Sequence, residues 1–291
     1  MQYIQEDLHL SQYQKILKIY LVIAHLLQKV LLPLIKRRIS KNMSTAKDGE
    51  EDKDDFIFNL RAYNESQTIG KVIDEIYAAG FKKIMVTNDG SSDATLSILE
   101  DKKKQYADRL LIIASHTINR GWWAANQTGF NFIKKYGEEL QIKWLVGFDA
   151  DGQMDVKDME TFMRKIHHHK VDMYLWSRFL EWGKAENIPT MRRIILGISR
   201  IITYVFYGAI VSDPHNGYRI ISLNALRKIH LTADGMHYAN EINEHIKKEK
   251  MKFEEVPVHI RYTEYSLGKG QKNSNSIKLA IEMIYKKLFF R

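Results

Sequence analysis

From residue 56 onward the chain alternates between short apolar, β-rich runs and helical stretches, and this alternation does most to narrow its fold. The runs fall at 56–62, 83–88, 110–115, 143–149 and 171–177, with helical composition between them at 68–79, 94–105, 124–136 and 156–168. The pattern predicts an α/β domain with a mainly parallel sheet and helices on both faces. Ligands of such sheets bind beyond the carboxyl ends of the strands, so polar residues at strand ends are the first place to look for chemistry. After about residue 185 the alternation stops. Helices near 188–207 and 239–250, a strand at 254–262 and a last helix at 276–290 follow, and no internal repeat is present.

Residues 1–55 have a different character. The stretch 16–35 is strongly apolar but contains Lys18, His25, Gln28 and Lys29, and Lys36, Arg37 and Arg38 follow it. A membrane-spanning helix wants about 20 apolar residues with few charges. An amphipathic helix fits better, lying on a membrane surface or against a partner such as a small membrane protein. A helix packed on its own domain is the other reading. No small-residue cleavage site marks a signal peptide. The polar, acidic stretch 44–55 reads as a linker.

Charge and cysteine content bear on function class. With no cysteine among 291 residues, a disulfide framework, a thiolate zinc site and a cysteine nucleophile are excluded, and a reducing compartment fits. The net charge is +9, and +8 of it lies after residue 190. No zinc-finger, RNP-type or helix-turn-helix signature accompanies that excess, so nucleic acid is not the expected partner. A basic face toward lipid phosphate or an anionic bilayer accounts for it better.

Three strand ends carry the motifs. The first run leads into Ala62-Tyr63-Asn64-Glu65 and the second into Asn88-Asp89-Gly90-Ser91-Ser92-Asp93. Acidic residues there can accept hydrogen bonds from a base or ribose, or can simply cap the next helix. The fourth run ends in Asp149-Ala150-Asp151-Gly152-Gln153. Two carboxylates two residues apart can hold one Mg²⁺ or Mn²⁺, with Gln153 as a neutral oxygen ligand. Further along stand His116 to Gly121, Ser177-Arg178-Phe179, Asp213-Pro-His215-Asn-Gly217-Tyr218-Arg219 and Glu255-Val256-Pro257.

Taken in order, these motifs resemble the family-2 glycosyltransferases, and among them the polyprenyl-phosphate sugar synthases of the dolichyl-phosphate mannose synthase type. The resemblance covers about 56–265 and implies the nucleotide-sugar-binding GT-A fold. It divides the chain into a helical extension and acidic linker (1–55), a GT-A catalytic domain (56–265), and a basic loop with a C-terminal amphipathic helix (266–291). By that resemblance Tyr63 and Glu65 line the nucleotide pocket, and Asp89 contacts the base or ribose. Asp149, Asp151 and Gln153 form the metal and diphosphate site. Arg178, Arg192 and Arg219 serve the acceptor phosphate together with Asp213, and Lys269 contacts phosphate from a loop that closes over the donor. His215, in the Asp-Pro-His-Asn-Gly turn, either touches the acceptor phosphate or serves the turn itself. Glu241 is a further acceptor-side candidate, a solvated helix carboxylate being the alternative.

The activity so implied is metal-dependent, inverting transfer of a sugar from a nucleotide sugar to a polyprenyl (dolichyl or undecaprenyl) phosphate. A divalent cation would stabilise charge on the departing diphosphate, and arginines would grip phosphate bidentately. The enzyme would work peripherally at the cytoplasmic face of a membrane. A soluble or glycan acceptor, or a catalytically weakened nucleotide-binding or membrane scaffold of the same fold, are the alternatives. The second of these is motivated by departures from the family pattern. Arg61 stands where the family usually has Pro, and Trp122, Trp123 and Trp176 stand where it has small residues. All four are expected beside the donor pocket, where they would reshape it. His167–His169 look like a metal tract but close a predicted helix, where the dipole favours cationic residues.

Overall fold

A computed structural model describes residues 52–166, 171–178, 180, 184–186, 211–213, 216–231 and 238–261. The expectations for 1–51, His167–His169, Arg192, the helix within 188–207, His215, Lys269 and the helix at 276–290 lie outside those residues. The chain divides into two units, 1–48 and 49–291, and all the elements below belong to the second.

The strands among the described residues are β1 (Phe56–Ala62), β2 (Lys83–Asn88), β3 (Leu110–Ser115), β4 (Trp144–Asp149), β5 (Met173–Ser177), β6 (Lys184–Glu186), β7 (Arg219–Ser222), β8 (Phe253–Pro257) and β9 (His259–Arg261). Seven of them form one sheet in the order β3-β2-β1-β4-β7-β5-β8, and β6 pairs with β9. β1 pairs in parallel with both β2 and β4, while β7 runs antiparallel between β4 and β5. All seven residues of β1 and all six of β2 are buried. Helices on both faces cover such strands, so they read as continuous apolar runs rather than alternating ones.

The helices are α1 (Ile69–Ala78), α2 (Thr95–Gln105), α3 (Trp122–Tyr136), α4 (Asp158–Ile166), α5 (Leu223–Lys228) and α6 (Tyr238–Lys248). α1 buries Ile69, Val72, Ile73, Ile76 and Tyr77, the three- and four-residue spacing of a helix with one face on the core. The rings of Phe56, Phe58, Phe81, Phe148, Phe162 and Tyr174 meet edge to face, the arrangement their quadrupoles favour.

The chain winds outward from β1 through β2 to β3, then crosses back to place β4 on the other side of β1. The crevice between the carboxyl ends of β1 and β4 is therefore the topological switch point, where open α/β sheets bind ligands. Register puts Arg61 and Asp149 directly opposite each other at that point.

The short strand β7 and helix α5 were not expected from the sequence. Only four residues long, β7 lacks a periodic signature. Its end is marked by Ser222, whose hydroxyl accepts the Ala225 N–H at 3.2 Å and caps α5. The strand expected at 254–262 is divided into β8 and β9 at Val258.

Candidate active site

A cleft of about 290 Å³ opens at the switch point, lined by Arg61, Ala62, Tyr63, Glu65, Asp89, Asn119, Trp122, Ala125, Asp149, Ala150 and Asp151. It collects the ends of β1, β2 and β4 and the first turn of α3. A larger cleft of about 460 Å³ lies between α1 and α4 and takes in Gln153, but neither Asp149 nor Asp151. The convergence of strand-end carboxylates, not volume, identifies the smaller one as the candidate site.

The loops after β1 and β2 are interlocked. The Asn64 N–H donates to Ser91 Oγ at 2.9 Å, and the Ser92 N–H donates to Asn64 Oδ1 at 2.8 Å. The Glu65 N–H donates to Thr95 Oγ1 at 2.8 Å. Asp93 accepts from Thr95 N, Thr95 Oγ1 and Ser66 N. Desolvation is the largest single influence on Asp93 and opposes its ionisation, but these hydrogen bonds together outweigh it and hold the carboxyl at about 2. Gly90 has φ +67°, and a Cβ there would collide with the Ile118 backbone. Only glycine lets the β2 loop pass the β3 loop so closely.

Asp89 is 3% exposed and receives two partners on one oxygen. His116 Nδ1 lies 2.6 Å from Asp89 Oδ1, and the Arg120 N–H donates to the same atom at 3.0 Å. His116 Nε2 is in turn 2.9 Å from Thr128 Oγ1 on α3. The carboxylate is oriented from behind, with its second oxygen taking no bond from the described residues. His116 had no role in the sequence reading; its position directly after β3, level with the end of β2, is the signal that could have found it.

The Arg61 guanidinium fills the space beside Asp149. Its Nη2 donates to Asp149 Oδ1, its Nη1 donates to Asn126 Oδ1 at 3.1 Å, and its carbon lies 4.3 Å from the Trp122 ring centroid. The Arg61 side chain is 4% exposed and that of Asp149 25%. From the other side, the turn before β7 brings Gly217 so close that a Cβ would lie 3.2 Å from Asp149 Oδ2.

This arrangement tests the expected metal ligands. Asp149 Oδ1 is held by a guanidinium, Asp151 Oδ1 accepts the Gln153 N–H at 3.0 Å, and Gln153 faces the other cleft. Among the described residues, no three His, Asp or Glu side chains converge on one point. A hard divalent cation takes about six oxygens, and one or two carboxylates can suffice when water and phosphate supply the rest. Here an ion at Asp149 would have to displace or share the oxygen that Arg61 holds. The trio Asp149, Asp151 and Gln153 does not fit a divalent cation as it stands.

The other expected residues sit as follows. Tyr63 (44% exposed) and Glu65 line the cleft. Glu65 Oε2 accepts the Thr68 hydroxyl at 3.1 Å. Arg178 and Asp213 are joined as a fork, Nε to Oδ2 at 2.6 Å and Nη2 to Oδ1 at 2.7 Å, and neither lines the cleft. Arg219 is buried on β7 and donates from Nε to the Asn216 carbonyl at 3.2 Å, anchoring the turn that carries Gly217. Glu241 lies half-buried in the first turn of α6 and does not line the cleft.

The expectation that all four bulky residues border the donor site needs correction. Arg61 and Trp122 line the cleft, but Trp123 and Trp176 do not. Trp176 is 1% exposed and stacks on Tyr218 at 4.2 Å with 12° between the planes. β5 directs it into the core, where the indole packs as an apolar body. The same burial pushes the Tyr218 phenol well above its usual range.

A mainly parallel sheet with acidic strand ends converging at the switch point defines an open α/β fold, and solved structures place it among the GT-A folds. Glucosyl-3-phosphoglycerate synthase from Mycobacterium tuberculosis, in complex with phosphoglyceric acid, matches with a TM-score of 0.55 at 14% identity. That match covers 86% of this chain and 82% of that one; the complex with UDP gives 0.54 at 13%. The model of "Glycosyl transferase family 2" matches residues 60–230. An uncharacterised protein of Methanocaldococcus jannaschii is 31% identical over 242 residues, which are 82% of this chain and 95% of that protein. The chain belongs to glycosyl transferase family 2 and is a glycosyltransferase. It is also 28% identical to the UDP-N-acetylglucosamine–dolichyl-phosphate N-acetylglucosaminyltransferase of Methanococcus voltae, over 80% of this chain and 94% of that one. With the polyprenol monophosphomannose synthase of Mycolicibacterium smegmatis it shares 25% identity over 76% and 82%.

Proposed function

We propose that the chain transfers a sugar from a nucleotide sugar to the phosphate of a polyprenyl phosphate, as a peripheral enzyme at the cytoplasmic face of a membrane. The observation that carries the reading is the cleft at the β1–β4 switch point. It brings Tyr63, Glu65, Asp89, Asp149 and Asp151 from three strand ends around one space. Relatives whose names specify dolichyl-phosphate or polyprenol acceptors, aligned over most of their length, support the acceptor class. The positive charge after residue 190 and the apolar stretch 16–35 support a membrane surface. No helix among the described residues is long and apolar enough to cross a membrane.

In bond terms, an oxygen of the acceptor phosphate forms a bond to the anomeric carbon. The bond from that carbon to the diphosphate breaks, and the nucleoside diphosphate leaves with the electron pair. One displacement inverts the centre. The phosphate monoester is already anionic, so no strong general base is required. Asp89 orients the nucleoside end, with His116 and Arg120 holding it. The family resemblance assigns Arg178, gripped by Asp213, to the acceptor side. The resemblance also implies Mg²⁺ or Mn²⁺, which would help neutralise the departing diphosphate, whereas in this chain Arg61 holds Asp149.

The test is a screen of radiolabelled nucleotide sugars against a polyprenyl phosphate in detergent. Label extracted into organic solvent supports the reading. Label recovered only in a water-soluble glycan overturns the acceptor.

A further inference from the structure

The described residues that line the cleft carry four carboxylates, on Glu65, Asp89, Asp149 and Asp151, and a single positive charge, on Arg61. A nucleoside diphosphate is itself polyanionic, and low-dielectric walls strengthen like-charge repulsion. Its entry requires positive charge near the strand ends. Family resemblance would supply that charge as a divalent cation on Asp149. In this chain the position opposite Asp149 in the β1–β4 register is not the usual Pro, which carries no charge, but Arg61.

Arg61 is fixed on three sides. Asp149 holds Nη2, Asn126 holds Nη1 and the Trp122 ring covers the guanidinium face at 4.3 Å. Asn126 and Trp122 both belong to the first turns of α3, and Gly147 and Gly217 border the guanidinium. A Cβ on Gly147 would lie in ordinary contact at 3.6 Å from Nη1, and one on Gly217 at 3.5 Å from Nη2. The guanidinium is thus held rigidly at the Asp149 carboxylate, on the wall of the cleft. It cannot lose its proton at any working pH, and its planar fork matches phosphate oxygens.

Resting on the reading of the cleft as a donor site, we propose that Arg61 is the resident cation of the diphosphate subsite. Its guanidinium neutralises Asp149 and faces the donor diphosphate, in the place a divalent ion bridging Asp149 to the diphosphate would take. Donor binding is then independent of divalent metal. Trp122 is part of the same device, since stacking fixes the plane of the guanidinium and desolvates the pair.

Calorimetric titration of the purified full chain with UDP, GDP, CDP, ADP and dTDP tests this, each in EDTA and again in excess Mn²⁺. At least one nucleotide is expected to bind in EDTA with a dissociation constant within about threefold of its Mn²⁺ value, the span of a charge already supplied by a fixed arginine. Binding that is lost in EDTA and restored by Mn²⁺ overturns the proposal while leaving the donor site in place. Binding of none of the five under either condition overturns the donor reading as well. This comparison needs only the natural chain, so the folding of variants does not limit it. Two variants sharpen it. R61Q should bind about tenfold or more weakly in EDTA and recover in Mn²⁺, because Asp149 becomes available to the ion. The R61Q/D149N double variant should be equally weak and should not recover. An R61Q protein that binds as tightly as the natural chain in EDTA also overturns the proposal.

Discussion

Arg178 and Asp213 clasp each other through two parallel hydrogen bonds of 2.6 and 2.7 Å, with side-chain exposures of only 8% and 1%. The Arg178 N–H adds a third bond to Asp213 Oδ2 at 3.2 Å. The pair joins the end of β5 to the segment that returns toward β7, so it holds that segment to the sheet. Removing one member leaves the other charge buried and uncompensated. D213A is expected to lose about 3–5 kcal/mol in urea unfolding. R178K should lose part of that, because an ammonium cannot reproduce the fork. A loss below about 1 kcal/mol for D213A would be the value of a solvated surface pair.

Trp176 is a core residue, and its replacement should act on stability rather than on the donor site. W176G removes the ring stacked on Tyr218 and opens a large cavity, which costs about 3–5 kcal/mol or more. Activity per folded molecule should not rise. Thermal unfolding together with turnover on the folded fraction checks both halves; a more active enzyme of unchanged stability would return Trp176 to the pocket.

The difference between Trp176 and Trp122 shows where the sequence was legible and where it was not. The first three strands match their expected bounds to the residue, and α1 to α4 lie within two residues of theirs at each end, because long apolar periods and strand-end glycines are local signals. The strand-end rule pointed to the loops that carry Tyr63, Glu65, Asp89, Asp149 and Asp151, and the family resemblance grouped those residues around one site. The pairing of Arg61 with Asp149 followed from neither, since it depends on the register of two strands more than 80 residues apart. A tryptophan looks the same in sequence whether its strand turns it to the core or its helix turns it to the cleft. β7 was too short to show a period, yet it sets Gly217 against Asp149.

Asp93 ties the loop after β1 to the start of α2, and its ionisation should show in acid. Its carboxyl is held at about 2, below the ordinary value of 3.8. A depressed folded-state value means the contribution to stability is complete above 3.8 and is lost as the pH falls to about 2. The D93N variant lacks that contribution. Unfolding measured from pH 7 to pH 2 should show the natural chain more stable at neutral pH, with the gap closing between pH 4 and about pH 2. A gap that is constant across that window would mean the carboxylate has no special stabilisation.

Asp89 is oriented by His116 and the Arg120 N–H on a single oxygen, and in the function proposed above its other oxygen is the one that meets the nucleoside. D89N keeps the shape and removes the charge. A hydrogen bond to a charged group is worth about 1.5–3 kcal/mol. The KM for the nucleotide sugar should therefore rise about tenfold or more, with a smaller change in kcat because Asp89 is not at the reacting bond. A fall confined to kcat would move Asp89 out of the donor pocket.

Gly217 is the point at which the returning turn touches the Arg61–Asp149 pair. A methyl group there would lie 3.2 Å from Asp149 Oδ2, 3.4 Å from the Trp122 ring and 3.5 Å from Arg61 Nη2. Of the three, only the Asp149 contact is tighter than ordinary packing, and because Arg61 holds that carboxylate it has little freedom to retreat. Arg219 Nε, bonded to the Asn216 carbonyl, keeps the turn itself from moving away. Overpacking of this kind costs about 1–3 kcal/mol, and here the strain falls on the cleft wall rather than on the hydrophobic core. G217A should therefore remain folded, lose no more than that in urea unfolding, and bind a nucleoside diphosphate about tenfold more weakly. The same tenfold, converted at about 1.4 kcal/mol per decade, lies within the strain the methyl introduces. Calorimetry and unfolding on one preparation separate the two effects, and unchanged affinity would show that the turn yields before the ion pair does.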